Sequence, residues 1–370
     1  MYIHIPFCGG KCPYCDFYSV APTEELCERY GGAVHTELQR AAVSFTPTSI
    51  NTIYIGGGTP PLLGSARLAA LLDRVREQFP VEQGAEVTVE VNPRTVTREL
   101  VSVLAAAGVN RISMGAQSGV ESELELLGRQ HSPDDIRCAA DVIHEGGIEN
   151  LSLDIMLCFP GQTIDTLQQS AELLFSCNPE HISAYLFKVE EGTPFHRNRD
   201  SYSFPDEDEA AEIYLAACEI MESAGFCQYE ISNFAKPGRE SRHNLKYWNA
   251  EEYIGIGPAA HGFVDGQRYY YERSLSDFIA QAEAGGAARI PDGSGGDAEE
   301  YAMLRLRLAE GLEHRLWQAR FGEPLPAELI RRARQLAAGG LVVCDERGVR
   351  LTRQGFLVSN AVIAQLVYFE

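Results

Sequence analysis

Short apolar runs alternate with longer amphipathic segments over the first 230 residues of the chain. The apolar runs are rich in β-branched residues, and most are broken or ended by glycine, proline or asparagine, as buried strands are. They lie at 52–61, 86–93, 110–118, 150–161 and 180–187. The intervening segments place apolar residues at i, i+3 and i+4, which predicts helices at 64–79, 97–107, 133–145 and 164–175. Alternation of this kind predicts a parallel sheet with helical crossovers.

Each predicted strand–helix unit spans about 30–40 residues, as βαβ units do. Five or six such units favour a barrel over an open sheet. The predicted fold class is therefore α/β, with a partial or full barrel of the TIM type. Thr97 is the predicted N-cap of one crossover helix, and Gly108 follows its end.

The rest of the chain is less regular. We place a connecting segment at 231–296, which ends in the glycine-rich stretch DGSGGD, and a small α+β domain at 297–370. In that domain, GLVVCDERGVRLTRQG predicts a β-hairpin with Arg347 and Gly348 at its turn, followed by a helix. The arrangement resembles a winged helix. Packing against the barrel without binding DNA is the favoured interpretation, because the chain is acidic.

Composition narrows the class of protein. Of 370 residues, 45% are hydrophobic and 22% are charged, which suits a large folded core. The formal net charge is −21, with 52 acidic against 31 basic side chains, which argues against a nucleic-acid partner. No apolar run is long enough for a membrane span, and MYIHIPF does not resemble a signal peptide. We therefore expect a cytoplasmic protein.

Three of the ten cysteines cluster as C-x3-C-x2-C at Cys8, Cys12 and Cys15, while the other seven are scattered. A disulfide would use two of the clustered thiols and leave one. A structural zinc site would need a fourth ligand, for which His4 is available but lies in a predicted strand. In a [4Fe–4S] cluster, three thiolates bind three irons and leave the fourth iron open to another ligand. This last interpretation is the one that accounts for three thiols.

Unusual residues occur where predicted strands end, which is where a (β/α) barrel places its chemistry. A glycine triplet and Thr59 follow the first long strand, and glycines there allow close approach of a ligand or simply a tight turn. Glu90, Gln117 and Asp154 end or interrupt the next three strands, and Arg129 follows a helical turn. Each carboxylate needs either a ligand or a buried partner.

A second motif, H-N-x-x-Y-W, is present as His243, Asn244, Tyr247 and Trp248. A neutral imidazole is a good axial ligand for heme iron, and the two aromatic rings are close enough to flank a flat macrocycle. The alternative is a core aromatic cluster with a hydrogen-bonded histidine. His261 either lines the same site or caps a turn, and its glycine-rich surroundings favour the turn.

Together these motifs give a family resemblance. C-x3-C-x2-C resembles the radical S-adenosylmethionine (SAM) superfamily, and YIHIPFCGGKCPYCDF, YIGGGTP, EVNP, RISMGAQS and HNLKYW resemble the oxygen-independent coproporphyrinogen oxidase-like family over nearly the whole chain. The resemblance implies a partial (β/α)6 TIM-like radical SAM barrel with a [4Fe–4S] cluster on the three cysteines. It also implies SAM contacts at Tyr2, Tyr14, Gly57, Gly58, Thr59, Glu90, Gln117, Arg129 and Asp154.

Two features separate branches of that family. The decarboxylating enzymes have a further cysteine where this chain has Phe17, and a longer N-terminal arm. The chain instead resembles the heme-chaperone branch, which implies heme binding through His243, delivery to membrane or respiratory acceptor proteins, and an electron donor. The alternatives are oxidative decarboxylation of coproporphyrinogen III, radical-driven opening of the heme ring, or a non-catalytic zinc or interaction protein.

Overall fold

The computed structural model describes residues 1–47 and 49–367, which form two compact units that interleave along the chain. The first unit contains Met1–Pro205 and Glu252–Ser294, and the second contains Asp206–Glu251 and Gly295–Glu370. This division falls at other points than the predicted boundaries at 230 and 296, because the segment after 205 packs with the C-terminal segment. The division into a barrel, a connecting segment at 231–296 and a small domain at 297–370 stays a prediction.

In the first 205 residues each strand is followed by one α-helix or, after the fourth strand, by two. The elements are β1 (Tyr2–Ile5), α1 (Glu24–Ser44), β2 (Ile50–Gly57), α2 (Ser65–Gln78), β3 (Val81–Val91), α3 (Arg98–Ala106), β4 (Arg111–Gln117), α4 (Glu121–Leu126), α5 (Pro133–Glu145), β5 (Asn150–Leu157), α6 (Ile164–Ser176), β6 (His181–Leu186) and α7 (Pro194–Arg197). Helix α3 begins after Thr97, whose side chain accepts from the Leu100 backbone N–H, as predicted.

The following 89 residues contribute shorter elements to both units. They are α8 (Glu207–Ser223), β7 (Cys227–Gln228), β8 (Asn233–Ala235), α9 (Arg242–Trp248), β9 (Gly255–Ile256), β10 (His261–Val264), β11 (Gln267–Tyr270), α10 (Leu275–Glu283) and β12 (Ile290–Ser294). Strands β10, β11 and β12 form a separate antiparallel sheet in the first unit.

The first unit is organised by one parallel array of strands in the order β6-β5-β4-β3-β2-β1-β9. Consecutive strands are neighbours, and each pair is parallel. The predicted α/β class with helical crossovers is therefore confirmed. Because all strands run the same way, their carboxyl ends meet at one edge. The loops after β1 to β5 meet at that edge.

The C-terminal segment is a small α+β arrangement, as predicted. Its elements are α11 (Ala298–Arg305), β13 (Leu312–Glu313), α12 (His314–Phe321), α13 (Ala327–Ala338), β14 (Val342–Cys344), β15 (Gly348–Leu351), α14 (Arg353–Leu357) and α15 (Ser359–Val367). The predicted hairpin is confirmed, with β14 antiparallel to β15 and Arg347 in the turn. Among the helices in the described part of the chain, none has the length and hydrophobicity needed to cross a bilayer.

A buried carboxylate fastens α1 to the second half of the first unit. Glu37 is fully buried, and it accepts hydrogen bonds from Arg40 Nη1 at 2.7 Å and from the Ala287 backbone N–H at 2.7 Å. The Tyr271 hydroxyl donates to its other oxygen at 2.9 Å. Three donors therefore compensate the desolvation of one charge.

We expect Glu37→Ala to lower the free energy of unfolding by about 3 kcal/mol, because the variant leaves buried donors without an acceptor. Equilibrium unfolding in urea measures this change. Glu77→Ala is the matched control, since Glu77 pairs with Arg74 at the surface and should contribute less than about 0.5 kcal/mol. Equal effects of the two substitutions would contradict the assignment.

Candidate functional site

The three clustered cysteines lie on one loop, residues 6–20, at the carboxyl end of β1. Two backbone hydrogen bonds close this cluster loop on itself, Cys8 N to Val20 O at 3.0 Å and Val20 N to Pro6 O at 2.8 Å. Cys15 N donates to Cys12 O at 3.1 Å, which makes a tight turn between the second and third thiols. The three thiols, which are close in sequence, are therefore held on one closed loop.

The thiols share one environment. Desolvation is the main cause that raises the pKa of Cys15, and the nearby Cys12 and Cys8 thiols act in the same direction. Within residues 1–47 and 49–367, no three His, Cys, Asp or Glu side chains are placed to bind a single metal ion. A four-iron cluster takes each thiolate on a different iron, so it accommodates sulfur atoms that stand further apart than the ligands of one ion. Three thiols on one short loop match the number of irons that the chain would ligate if the fourth iron stays open.

Arg129 supplies a positive charge beside the cluster loop. Its Nη1 lies 3.6 Å from Cys12 Sγ, and its Nη2 donates to the Gly115 carbonyl at 2.7 Å and to Asn92 Oδ1. These contacts fix the guanidinium across the ends of β3 and β4. Arg129 therefore holds a positive charge beside the second thiol of the cluster loop.

An apolar wall lies behind the thiols. Tyr14, between the second and third cysteines, packs against a cluster of Leu127, Met156 and Phe159. Its ring meets that of Phe187 edge-on, with centroids 6.2 Å apart. Desolvation by these neighbours raises the pKa of the Tyr14 hydroxyl. The wall limits the access of water to this side of the loop.

The glycine triplet makes room for protein groups. A Cβ on Gly56 would lie 2.7 Å from the Glu90 carboxyl carbon, and one on Gly57 would lie 2.6 Å from the His4 ring. Gly57 also has φ of 115°, which favours glycine. The N–H groups of Gly58 and Thr59 donate to Ile5 O and Phe7 O, so they are used within the protein.

Glu90 connects the ends of β2 and β3. Its Oε1 accepts from the Tyr54 hydroxyl at 2.8 Å, and its Oε2 accepts from the Gly57 N–H at 2.9 Å. Desolvation raises the pKa of Glu90 although both hydrogen bonds act in the opposite direction. A partly buried carboxylate that already has two donors keeps lone pairs for further hydroxyl donors.

Asp154 lies across the same space on β5. Ser113 Oγ is 3.4 Å from its Oδ1, and Ser183 is a second hydrogen-bond partner. Desolvation raises the pKa of Asp154 to about 7, and the Glu90 charge acts in the same direction. Arg111, which is only 1% exposed, opposes both effects as the nearby cation. Two carboxylates and one arginine thus share the interior of the strand array.

Gln117 ends β4 in a left-handed backbone conformation, with φ of 70°. Its Nε2 lies 2.9 Å from the position that a Cβ on Gly115 would occupy, so the side chain folds back over that glycine towards Arg129. Strain at a strand end in a non-glycine residue is typical of ligand sites.

Tyr2 lies on β1. Its hydroxyl is hydrogen-bonded to His4 Nδ1 at 2.9 Å, and its ring centroid lies 6.2 Å from that of Tyr54.

Several site residues were not anticipated from the sequence: Tyr54, Asn92, Arg111, Ser113 and Ser183. All lie on strands or directly after them. The available signal was the alternation of polar and apolar residues in EVTVEV, RISMGA and NLSLDI, which puts a polar face towards the interior of the array. A barrel with an apolar core would have no polar residues at these positions.

The H-N-x-x-Y-W motif forms α9 in the second unit. Ser241 caps the helix by accepting from the Asn244 N–H at 3.3 Å. His243 is 1% exposed, and its Nε2 lies 2.9 Å from the Tyr247 hydroxyl. The two rings meet edge-on with centroids 5.2 Å apart. A hydrogen-bonded histidine beside an aromatic ring is what the alternative to heme ligation expects. Heme ligation by His243 stays a prediction. His261 starts strand β10, exposed and stacked on Tyr270.

Two family models match the chain. The model of the radical SAM superfamily matches residues 2–174, and the model of the HemN C-terminal domain matches residues 297–358. The first match spans β1 to α6 and includes the cluster loop. The second spans most of the C-terminal segment.

Similar proteins are known over the full length. The heme chaperone HemW of Mycobacterium tuberculosis is 36% identical over 380 residues, covering 99% of this chain and 94% of its own. HemW of Bacillus subtilis is 36% identical over 367 residues, covering 98% and 97%. The solved structure of coproporphyrinogen III oxidase HemN from Escherichia coli has a TM-score of 0.85 at 21% identity, covering 100% of this chain and 90% of that one. At this identity the structural likeness shows the fold alone.

The raised pKa of Asp154 has a consequence for stability. The folded protein binds this proton more tightly than the unfolded chain does, since the pKa changes from 3.8 to about 7 on folding. The stabilisation that this proton gives to the folded state is complete below the pKa of Asp154 in the unfolded chain. It is lost as the pH rises through the pKa of Asp154 in the folded protein. Asp154→Asn removes the ionisation.

We expect Asp154→Asn to be more stable than the parent near pH 8, because the parent then holds an ionised carboxylate in the folded state and the amide is neutral. Since the carboxyl is only partly shielded from solvent, the difference should be about 1–2 kcal/mol. The difference should shrink towards about pH 4. Urea unfolding at several pH values measures both trends. A variant that is less stable near pH 8 would contradict the assignment.

Proposed function

Because the chain belongs to the HemW family of the radical SAM superfamily, as its motifs predicted, we propose that it is a heme chaperone. In this proposal it binds a [4Fe–4S] cluster, SAM and heme, and passes heme to acceptor proteins. The observation that carries the proposal is 36% identity to a heme chaperone over 99% of the chain, together with three clustered cysteines and the H-N-x-x-Y-W helix.

Cys8, Cys12 and Cys15 would hold the cluster. When bound, a site-differentiated [4Fe–4S] cluster supplies an open iron for SAM and one electron for its reduction. The chain's own contribution is to hold three thiolates on a closed loop, to place Arg129 beside Cys12, and to limit water behind Tyr14. Thr59 Oγ1, 3.9 Å from Cys8 Sγ, supports the loop from β2.

SAM would lie over the carboxyl ends of the strands. Glu90 and Asp154 offer acceptors for the ribose hydroxyls, and Arg129 offers donors for the SAM carboxylate. The N–H groups from Gly57 to Thr59 are used within the protein, so we assign the contacts of Gly57 and Gly58 with the SAM ammonium to their carbonyl oxygens. We further assign Tyr2, Tyr14, Thr59 and Gln117 to the remaining surface of the SAM site.

Phe17 favours the chaperone over the decarboxylating enzyme. Its side chain is 66% exposed, two residues after the third cysteine, at the position where the decarboxylating enzymes have a further cysteine. An exposed phenylalanine there offers an apolar contact and no thiol. At position 17 this chain therefore lacks a thiol that the decarboxylating enzymes have.

Heme would bind at α9. His243 supplies a neutral imidazole for the iron, with Tyr247 and Trp248 beside the macrocycle. Because Nε2 of His243 lies within hydrogen-bond distance of the Tyr247 hydroxyl, ligation through that nitrogen requires the hydroxyl to move away. Loading of heme is therefore coupled to a rearrangement of this side-chain pair.

We place the protein in the cytoplasm, with heme acceptors of the membrane or the respiratory chain and a separate electron donor for the cluster. An acidic chain with a net charge of −21 suits a soluble carrier that avoids nucleic acid. We assign no nucleic-acid partner to the C-terminal segment.

The cluster assignment is tested by anaerobic reconstitution and by iron and sulfide analysis. We expect about four irons and four sulfides per chain, and loss of most of both on substitution of Cys8, Cys12 or Cys15 by serine, since three thiolates hold the cluster. Cys138→Ser is the matched control, because Cys138 is exposed on α5. Zinc in place of iron, or an equal loss in the control, would contradict the assignment.

The heme assignment is tested by spectrophotometric titration with hemin. We expect about one heme per chain, and at least tenfold weaker binding by His243→Ala, because the iron loses its protein ligand. His261→Ala is the control, since His261 is exposed and lies in another unit. Unchanged affinity of the His243 variant, or formation of protoporphyrinogen from coproporphyrinogen III with SAM and reductant, would argue against the proposal.

A further inference from the structure

Three arginines of the C-terminal segment, Arg305, Arg307 and Arg320, lie at the last turn of α9 or just beyond it, in a chain that is strongly acidic overall. All three lie in the same compact unit as α9. We propose that Arg305 is a positioning residue for heme binding, which acts by holding the C-terminal end of α9 through Asn249. This inference rests on the proposed heme site at His243.

The start of α9 is fixed by neighbours in its own unit. The segment 229–231 pairs with 307–309, with Ile231 N donating to Arg307 O at 3.0 Å and Ala309 N donating to Tyr229 O at 2.9 Å. The Tyr229 hydroxyl in turn accepts from the backbone N–H of Ser241, the N-cap, at 3.3 Å. The entry to the helix therefore depends on the segment that follows α11.

The end of α9 depends on arginine side chains. Arg305 Nη1 donates to Asn249 Oδ1 at 2.6 Å, and its Nε donates to the Gly311 carbonyl at 3.0 Å. Arg305 is 3% exposed, so the contact with the C-cap residue Asn249 is made away from water. Charge-assisted hydrogen bonds in such a place are among the stronger ones.

Arg320 acts on the backbone just beyond the helix. It lies 3.4 Å from the Asn249 carbonyl through Nη1 and 3.2 Å from the Ala250 carbonyl through Nη2. Ala250 has φ of 47°, a left-handed conformation that ends the helix without a glycine. Cations at the C-terminus of a helix also oppose the negative end of its dipole.

The last turn of α9 contains the aromatic residues of the motif. Trp248 lies under the Arg307 guanidinium, 6.0 Å from the ring centroid, and Tyr247 is the partner of His243. A seven-residue helix has little stability of its own, so its last turn frays if the capping contacts are lost. Fraying would displace both rings and loosen the His243–Tyr247 pair.

The test is a double-mutant cycle on hemin affinity, using the full chain with Arg305→Met, Asn249→Ala and the double variant. We expect each single variant to bind hemin about tenfold more weakly, and the double variant to be no weaker than the weaker single one. The absorption spectrum of the bound heme should change in both single variants, because the ring environment of the iron changes. Circular dichroism shows that each variant is folded before titration.

Arg331→Met is the matched control in the same segment. Arg331 is exposed on α13 and pairs with Glu328 on its own helix, so it should leave hemin affinity within about twofold. This control separates a local role of Arg305 from a general effect of removing an arginine.

The outcomes separate the two proposals. If His243→Ala keeps the parent affinity, the heme site itself is wrong and the role of Arg305 fails with it. If His243→Ala loses affinity while folded Arg305→Met keeps it, only the role of Arg305 is overturned. Additive effects of Arg305→Met and Asn249→Ala would also overturn it, because the arginine would then not act through Asn249.

Discussion

The site depends on charges that lie inside a parallel sheet. Glu90 is fixed by Tyr54 and by the Gly57 N–H, and with Asp154 and Arg111 it forms one interacting group. Such groups are costly to desolvate, and a fold selected for stability alone would replace them with apolar residues. Glu90, Arg111 and Asp154 lie on the three neighbouring strands β3, β4 and β5, so their charges interact inside one part of the sheet.

The chemistry is divided between two compact units. The thiols, the carboxylates and Arg129 belong to the first unit, and the H-N-x-x-Y-W helix belongs to the second together with the C-terminal segment. This division gives the C-terminal segment a role that its resemblance to a winged helix does not suggest. Arg305 and Arg320 contact residues at the end of α9, while backbone pairing of 229–231 with 307–309 and the Tyr229 hydroxyl hold its start.

Much of the fold was predictable because it follows from local patterns. The strands, the crossovers and the C-terminal hairpin have clear hydrophobic periodicity, and the clustered cysteines are adjacent in sequence. The glycine triplet was harder to interpret, since only the structure shows that Gly56 accommodates Glu90 and Gly57 accommodates His4. Arg111 and Tyr54 were missed because their partners lie on other strands. The pairing of segment 206–251 with the C-terminal segment has no sequence signal, since it arises from packing between distant segments.

In our proposal, three thiolates leave one iron open and the strand ends place SAM on it. Electron paramagnetic resonance of the reduced, reconstituted protein, recorded with and without SAM, tests this most directly. We expect a signal of a reduced [4Fe–4S] cluster whose shape changes when SAM is added, because SAM becomes a ligand of the open iron. A signal that SAM leaves unchanged, or a protein that holds no reducible cluster, would overturn the proposed arrangement of cluster and SAM.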